Sequence, residues 1–193
     1  SYKIDCEILM SQTLNISREE VLINLEKEIK PEEKEKYFNY INRRKNDEPI
    51  AYITKNKNFW REKFIINNDT LIPRPDSEHL VEQALKLIKK DKSKRILDVG
   101  VGSGCLSISI LKERPYCECD AIDLSENALK LAKINANIHQ LSDRIKFYKR
   151  DVDNFYIGKY DLIISNPPYI KKHKIKYLGA INYEPKIALD GGL

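Results

Sequence analysis

The strongest constraint on the fold is the alternation of short apolar segments and amphipathic stretches after Lys94. The apolar segments have the composition of buried strands, and the first two are each followed by enough residues for a crossover helix. They are RILDVG (95–100), CECDAID (117–123), IKFYKRD (145–151) and YDLIISN (160–166). Apolar strands joined by helices of about ten or more residues form parallel sheets covered on both faces. The sequence therefore predicts an α/β fold.

The first part of the chain has a different pattern, and we divide the sequence into three regions. Residues 1–50 predict a helical module, with a capping box from Ser17 to Glu20 and Pro31 in the first turn of a later helix. Residues 51–72 carry the runs AYIT, NFW and KFII, which predict a β-hairpin connector. Residues 73–193 form the α/β domain, in which Ser77 is expected to cap the first helix.

Composition excludes several classes of protein. Hydrophobic residues make up 41% of the chain, too many for a disordered protein, and no apolar run is long enough to cross a membrane. The net charge of +5 is only weak support for a nucleic-acid partner. The spacing of Cys6, Cys105, Cys117 and Cys119 fits neither a disulfide framework nor a metal site, so we expect no metal and a cytoplasmic location.

A glycine-rich turn follows the first predicted strand of the α/β domain. It comprises Gly100, Val101, Gly102, Ser103 and Gly104, directly after Asp98-Val99. Glycines allow a ligand to approach the backbone closely. The spacing is G-x-G-x-G, and Cys105 stands where a dinucleotide fingerprint has its third glycine, which argues against NAD. Tight packing of strand against helix is the alternative role of these glycines.

Acidic residues follow the next two strands. Asp123 can accept hydrogen bonds from both ribose hydroxyls of a nucleoside, although a helix cap is the alternative. Asp151 and Val152 offer a carboxylate to an adenine amino group and an apolar contact to its ring. Because the chain has no phosphate-binding lysine motif, we expect a nucleoside without phosphate, and S-adenosyl-L-methionine fits that description.

The segment Asn166-Pro167-Pro168-Tyr169 ends the last predicted strand. Two prolines remove two backbone donors, so the Asn166 side-chain oxygen and the Pro167 carbonyl are left as acceptors for an NH2 group. Accepting both N–H bonds stabilises positive charge that develops on the nitrogen during methylation. Tyr169 can lie against a planar group. A simple Pro-Pro turn is the alternative.

These motifs resemble the class I S-adenosylmethionine-dependent methyltransferases and, within them, the HemK/PrmC family of protein-(glutamine-N5) methyltransferases. The closer resemblance rests on five segments that cover essentially the whole chain. They are LIPRPDSEHLVEQAL (71–85), ILDVGVGSGCLSISIL (96–111), AIDLSENALKLAKINANIH (121–139), YDLIISNPPYI (160–170) and NYEPKIALDGG (182–192). The resemblance implies a Rossmann-like sheet whose C-terminal strands are missing from this chain, after a helical substrate-recognition module.

The resemblance also implies roles for individual residues. Residues 100–104, Asp123 and the pair 151–152 are expected to bind the cofactor together with Asn166, giving S-adenosyl-L-homocysteine as product. Residues 166–169 are expected to hold the glutamine of the Gly-Gly-Gln loop of peptide chain release factors, the protein partner in translation termination. Arg74, between Pro73 and Pro75, is expected to contact the substrate or orient the Asn166 segment, with a purely structural link as the alternative.

Two other functions stay open from the sequence. An adenine-N6 methyltransferase of DNA or RNA shares the Asn-Pro-Pro-Tyr motif and is favoured by Lys171, Lys172, Lys174 and Lys176, although no separate target-recognition domain is evident. A catalytically silent binding module would keep the fold without the activity. We expect an active monomer with no membrane partner and no nucleic-acid substrate.

Overall fold

The computed structural model describes residues 2–175 and 183–192, and the chain divides into two compact units after Lys55. The helices of the first unit are α1 (Tyr2–Leu14), α2 (Arg18–Ile23), α3 (Pro31–Lys45) and α4 (Ile50–Thr54). The predicted capping box is confirmed: Ser17 Oγ accepts from the Glu20 amide at 3.1 Å, and the Glu20 carboxylate accepts from the Ser17 amide at 2.8 Å. Pro31 occupies the first turn of α3, as predicted.

Residues 51–54 are helical, so the prediction of a strand there was wrong. The run AYIT lies within α4, which begins after Pro49 and ends at Lys55 in a left-handed conformation, φ 59°. All its residues from Ala51 to Thr54 are buried, so the helix shows no amphipathic period. A short apolar run buried on every side has the same composition in a helix as in a strand.

The predicted hairpin is present in the second unit as β1 (Asn56–Phe59) paired antiparallel with β2 (Glu62–Ile65). Phe59 and Phe64 are buried, with ring centroids 6.3 Å apart in an edge-to-face arrangement. The hairpin thus contributes two aromatic rings to the core of the second unit.

Ser77 does not cap the following helix, α5 (Glu78–Leu87), as the sequence predicted. It is the last residue of a 3-10 turn over Pro75–Ser77 and has helical angles, φ −70° and ψ −15°. An N-cap serine needs an extended backbone to turn its oxygen toward the first helical amides. The preceding turn removes that possibility and directs the Ser77 hydroxyl elsewhere.

A parallel sheet forms the centre of the second unit and confirms the α/β prediction. Its strands are β3 (Arg95–Val99), β4 (Glu118–Asp123), β5 (Ile145–Lys149) and β6 (Leu162–Ser165), in the order β5-β4-β3-β6. The crossover helices are α6 (Cys105–Glu113) and α7 (Glu126–Ile138). Because β4 and β6 pair with opposite edges of β3, a crevice opens at the carboxyl ends of these strands.

The chain after β6 returns to the same end of the sheet. Helix α8 (Lys172–Ile175) precedes residues 176–182, and Ile170 pairs with Asp190 in a single parallel bridge. Of the residues singled out from the sequence, Lys176 and Asn182 lie outside the described residues. Within the described ranges, every helix is too short or too polar to cross a membrane.

Candidate active site

A cavity of about 280 Å³ lies at the carboxyl ends of β3, β4, β5 and β6. It brings together the three sequence motifs that the strands carry. Its lining includes Gly100, Val101, Gly102, Ser103, Asp123, Asp151, Val152, Asn166, Pro167 and Pro168. The parallel sheet therefore places the predicted cofactor residues and part of the predicted catalytic segment around one space.

The glycine turn is held against the end of β4 by its own backbone. The amides of Gly100 and Val101 donate to the Ile122 carbonyl at 2.9 and 3.0 Å. The Gly102 amide donates to Asp123 Oδ2 at 3.0 Å. The turn and the carboxylate are thus parts of one hydrogen-bonded unit.

Asp123 is oriented by backbone donors on both oxygens. In addition to the bond from Gly102, its Oδ1 accepts from the Ser125 amide at 2.8 Å. Ser125 itself caps α7, since its Oγ accepts from the Ala128 amide at 3.2 Å. Each carboxylate oxygen can accept more than one hydrogen bond, so Asp123 retains acceptor capacity where it lines the cavity.

Gly104 is the one predicted cofactor residue outside the cavity lining. It has a left-handed backbone, φ 83°, and a Cβ there would lie 3.0 Å from Ile108 Cδ1 and 3.5 Å from Ala132 Cβ. Gly104 therefore allows the turn to enter α6 and α7 to pack closely, which is the alternative role considered for these glycines.

Asn135 supports the glycine turn from α7, and its only signal in the sequence is that a polar residue lies on the apolar face of that helix. Its buried side chain donates from Nδ2 to the carbonyl of Ser103 at 2.8 Å and to that of Ile65 at 3.0 Å. Its Oδ1 accepts from the Ile65 amide at 2.9 Å. One side chain on α7 thereby joins β2 to the cavity wall.

The Asn166 segment lines the cavity directly after β6. Ser165 Oγ donates to the Val99 carbonyl at 2.9 Å, which ties the end of β6 to β3. The next residue, Asn166, is half-buried and donates from Nδ2 to Ser77 Oγ at 3.1 Å. Its Oδ1 is the end of the amide that this bond leaves available.

A second, smaller cavity of about 60 Å³ adjoins the segment. It shares Pro167 and Leu71 with the first cavity, and Arg74 and Tyr169 also line it. The Tyr169 side chain is 77% exposed, so the ring is open to a ligand from solvent. Tyr169 and Arg74 thus belong to the neighbouring cavity and not to the main one.

Gly191 allows the returning chain to approach this segment. A Cβ at Gly191 would lie 2.8 Å from both the Pro168 carbonyl oxygen and Tyr169 Cα. Backbone hydrogen bonds fix the approach, since Ile170 donates to the Leu189 carbonyl at 3.1 Å and accepts from Gly191 at 2.9 Å. No flexible side chain is available to yield, so glycine is required there.

Arg74 forms an ion pair with Glu184, whose side chain is only 2% exposed. The second Glu184 oxygen accepts from the Ile72 amide at 3.0 Å. This pair fixes the Pro-Arg-Pro segment to the chain that follows residue 182. Arg74 therefore has a structural contact in addition to its place beside Tyr169.

Two titratable groups near the cavity, the buried Asp98 and the partly buried Cys105, have raised pKa values. Burial raises the pKa of the Asp98 carboxyl to about 7, despite the polar groups of Ser107 nearby, and neither oxygen has a hydrogen-bond partner of ordinary geometry. Burial likewise raises the pKa of the Cys105 thiol to about 12, so this cavity residue is neutral and a poor nucleophile. In the described ranges, no cluster of side chains could hold a metal ion.

Other cavity residues were missed by the sequence analysis. They come from the end of the connector, from positions next to predicted residues and from the chain after residue 182. They are Asp69, Thr70, Leu71, Pro73, Val99, Cys105, Leu106, Ile122, Leu124, Ser125, Ala128, Arg150, Ser165, Ile187 and Ala188. Leu124, Arg150 and Ser165 could have been found because they adjoin residues already placed at strand ends.

The fold and this arrangement of strand-end motifs define a methyltransferase of the α/β class. Residues 77–181 match the family model for the methyltransferase small domain, and residues 1–54 match that for the PrmC N-terminal domain.

The chain belongs to the HemK/PrmC family. It is 39% identical over 196 residues to the release factor glutamine methyltransferase of Clostridium acetobutylicum, covering 99% of this chain and 69% of that protein. The protein of the same name from Clostridium botulinum is 41% identical over 197 residues, covering 100% and 70%. That from Coxiella burnetii is 37% identical over 199 residues, covering 98% and 68%.

Proposed function

We propose that this enzyme transfers a methyl group from S-adenosyl-L-methionine to the side-chain amide nitrogen of the glutamine in the Gly-Gly-Gln loop of peptide chain release factors. The curated relatives of the chain carry the name of that activity. The structural observation that carries the proposal is the position of Asn166 and Pro167, which line the same cavity as the glycine turn and Asp123.

The residues present fit the proposed cofactor. Asp123 is held by two backbone amides and can accept from the ribose hydroxyls. Asp151 has one oxygen engaged by the Asp153 amide at 3.1 Å and keeps its other oxygen for an adenine amino group. Val152 is 51% exposed and offers an apolar contact to the ring. An open backbone at Gly100, where a Cβ would have no neighbour within 4 Å, leaves space for the methionine portion.

When bound, the cofactor supplies an electrophile, a methyl group on a positively charged sulfur. The substrate amide is a poor nucleophile, because its nitrogen lone pair is delocalised into the carbonyl, so the protein must help it to react. In our proposal, Asn166 Oδ1 and the Pro167 carbonyl accept the two N–H bonds of the substrate amide. These acceptors would orient the nitrogen and stabilise the positive charge that it gains as the nitrogen–methyl bond forms and the sulfur–methyl bond breaks. One N–H proton would then leave to water, with S-adenosyl-L-homocysteine as the other product.

The small second cavity supports entry of a slender side chain beside the segment. It lies between Arg74 and Tyr169 and contacts Pro167, one of the two proposed acceptors. A glutamine side chain extended through this cavity would bring its amide to the Asn166 segment. Tyr169 and Pro168 would then flank the planar amide of the substrate.

The proposal also covers the first unit and the setting of the reaction. Residues 1–54 match the PrmC N-terminal domain, and we assign this helical module to recognition of the protein substrate. All four cysteines lie in the described ranges and are free thiols, which supports a reducing cytoplasm.

Methyl transfer from labelled S-adenosyl-L-methionine to a purified release factor tests the proposed function. We expect incorporation into the factor and none when the glutamine of its Gly-Gly-Gln loop is replaced by alanine. Duplex DNA and RNA serve as competing acceptors in parallel reactions. Label in nucleic acid without label in the release factor would contradict the proposal and favour an adenine-N6 methyltransferase.

A further inference from the structure

Ser77 and Asn166 are joined by a hydrogen bond across 89 positions of the chain. Asn166 Nδ2 donates to Ser77 Oγ at 3.1 Å, and Ser77 is 8% exposed. The helix that follows Ser77 makes no use of this hydroxyl. The Ser77 side chain is therefore committed to the residue on which the proposed chemistry depends.

The position of the Ser77 hydroxyl is fixed by the backbone before it. Pro75 begins the 3-10 turn that ends at Ser77, and the Ser77 amide donates to the Arg74 carbonyl at 3.0 Å. The proline ring limits φ, and the Arg74 side chain is held by buried Glu184. A rigid segment thus delivers one hydroxyl to the Asn166 amide.

An asparagine amide has chemically opposite ends, and rotation about its terminal bond is soft. With Nδ2 engaged by Ser77, the end left for a ligand is the acceptor Oδ1. If the amide turned over, Nδ2 would face the ligand and would repel the N–H bonds of another amide. Because the Ser77 hydroxyl can donate or accept, its bond holds the amide in place, and the orientation with Nδ2 on Ser77 is the one that the N–H bonds of a substrate amide favour.

We propose that Ser77 is a positioning residue that holds the Asn166 amide with Oδ1 toward the acceptor nitrogen. This inference rests on the proposed function, because it assigns Asn166 Oδ1 to the substrate NH2 group. It assigns Ser77 no contact with the substrate or the cofactor. It also gives the Pro-Arg-Pro segment a role in the reaction, which is to place the Ser77 hydroxyl.

The test compares Ser77→Thr with Ser77→Val, since these side chains have the same shape and differ in the hydroxyl. Single-turnover methyl transfer to a release factor is measured at saturating S-adenosyl-L-methionine. We expect Ser77→Thr to keep a rate near that of the unchanged protein and Ser77→Val to be about tenfold slower, the effect of one lost hydrogen bond. The KM for the release factor and the affinity for the cofactor should change much less than the rate.

A double-mutant cycle separates positioning from general support of the fold. In the Asn166→Ala background no amide remains to be oriented, so Ser77→Val should slow the reaction no further. Equal rates for the Thr and Val variants would overturn the inference. So would an undiminished effect of Ser77→Val in the Asn166→Ala background, or a loss of rate that follows a fall in melting temperature.

The failure of this inference is distinguishable from that of the proposed function. If the wild-type protein methylates the release factor and the Ser77→Thr and Ser77→Val variants react at equal rates, only the role of Ser77 is overturned. If the wild-type protein binds the cofactor but transfers no methyl group to the factor, both proposals are overturned.

Discussion

Asn135 donates a hydrogen bond of 2.8 Å to the carbonyl of Ser103, a residue of the cavity wall. The same side chain exchanges hydrogen bonds with both backbone groups of Ile65 at the end of the hairpin. Asn135 is completely buried and Ser103 nearly so, so the bond between them is closed to water. The contact makes the shape of the glycine turn depend on a residue in the middle of α7.

Asn135→Ala should lower both stability and cofactor affinity. The change leaves the buried Ser103 carbonyl without this partner, which costs roughly 1 to 3 kcal/mol, and also removes two part-buried bonds to Ile65. We expect a clear fall in the free energy of unfolding, measured with urea, and weaker S-adenosyl-L-methionine binding by calorimetry. Asn137→Ala is the matched control, because Asn137 is exposed on the same helix. Equal stability of the two variants would contradict this role.

Asp123→Ala should weaken cofactor binding about tenfold or more. The substitution removes the proposed ribose acceptor, and hydrogen bonds to a charged group contribute roughly 1.5 to 3 kcal/mol. It also removes the carboxylate that accepts hydrogen bonds from the Gly102 and Ser125 amides. Calorimetric titration with S-adenosyl-L-homocysteine measures the loss without turnover. An unchanged dissociation constant would rule out the ribose role.

Arg74→Ala should lower stability as well as activity. It removes the partner of Glu184, a carboxylate whose side chain is 2% exposed, although Arg74 itself is 35% exposed, so the expected cost is roughly 1 to 3 kcal/mol. The double variant Arg74→Ala, Glu184→Gln should recover much of the melting temperature, because glutamine keeps an acceptor for the Ile72 amide without a charge. If it recovers stability but not methylation, Arg74 also contacts the substrate. A melting temperature unchanged by Arg74→Ala would contradict the structural role of the pair.

The buried carboxyl of Asp98 should make stability depend on pH. Its pKa is about 7 in the folded protein, against an ordinary value of 3.8. The folded state therefore holds this proton more tightly, and stability is lost as pH rises from about 4 to about 7, by up to about 4 kcal/mol. The Asp98→Asn variant lacks this carboxyl. The difference in free energy of unfolding between this variant and the wild-type protein should therefore move in favour of the variant from pH 4 to pH 7 and then level off. A difference that stays constant from pH 4 to pH 8 would contradict the burial of an ionisable Asp98.

The strand ends of the α/β domain were predictable because each strand carries its own local signal. Asp123 and Asn166 end apolar segments, and the carboxyl ends of parallel strands necessarily meet at one edge of the sheet. The order of the strands across the sheet, β5-β4-β3-β6, differs from their order along the chain, but the edge at which they end does not depend on it. The residues that each strand end contributes to the main cavity could therefore be inferred without any tertiary contact, whereas those from the connector and from the chain after residue 182 could not.

The rest depended on contacts that local patterns do not encode. Ser77 has the composition of a helix cap, and only the turn at Pro75 shows that its hydroxyl bonds to Asn166 instead. The helical period places Asn135 on the apolar face of α7 with Ala128 and Leu131, but nothing in the pattern shows that its side chain bonds to Ile65 and Ser103. The run AYIT has the pattern of a strand because all four residues are buried in α4, so no helical alternation of apolar and polar residues is visible in the sequence.

The central claim is that Asn166 acts in methyl transfer, and single-turnover kinetics of Asn166→Ala test it most directly. The reaction uses a purified release factor and saturating S-adenosyl-L-methionine, so that weaker cofactor binding cannot limit the rate. We predict a rate about a hundredfold lower, by analogy with loss of one preorganised hydrogen-bonding group, while cofactor affinity changes much less. A near-normal rate for Asn166→Ala would contradict the account.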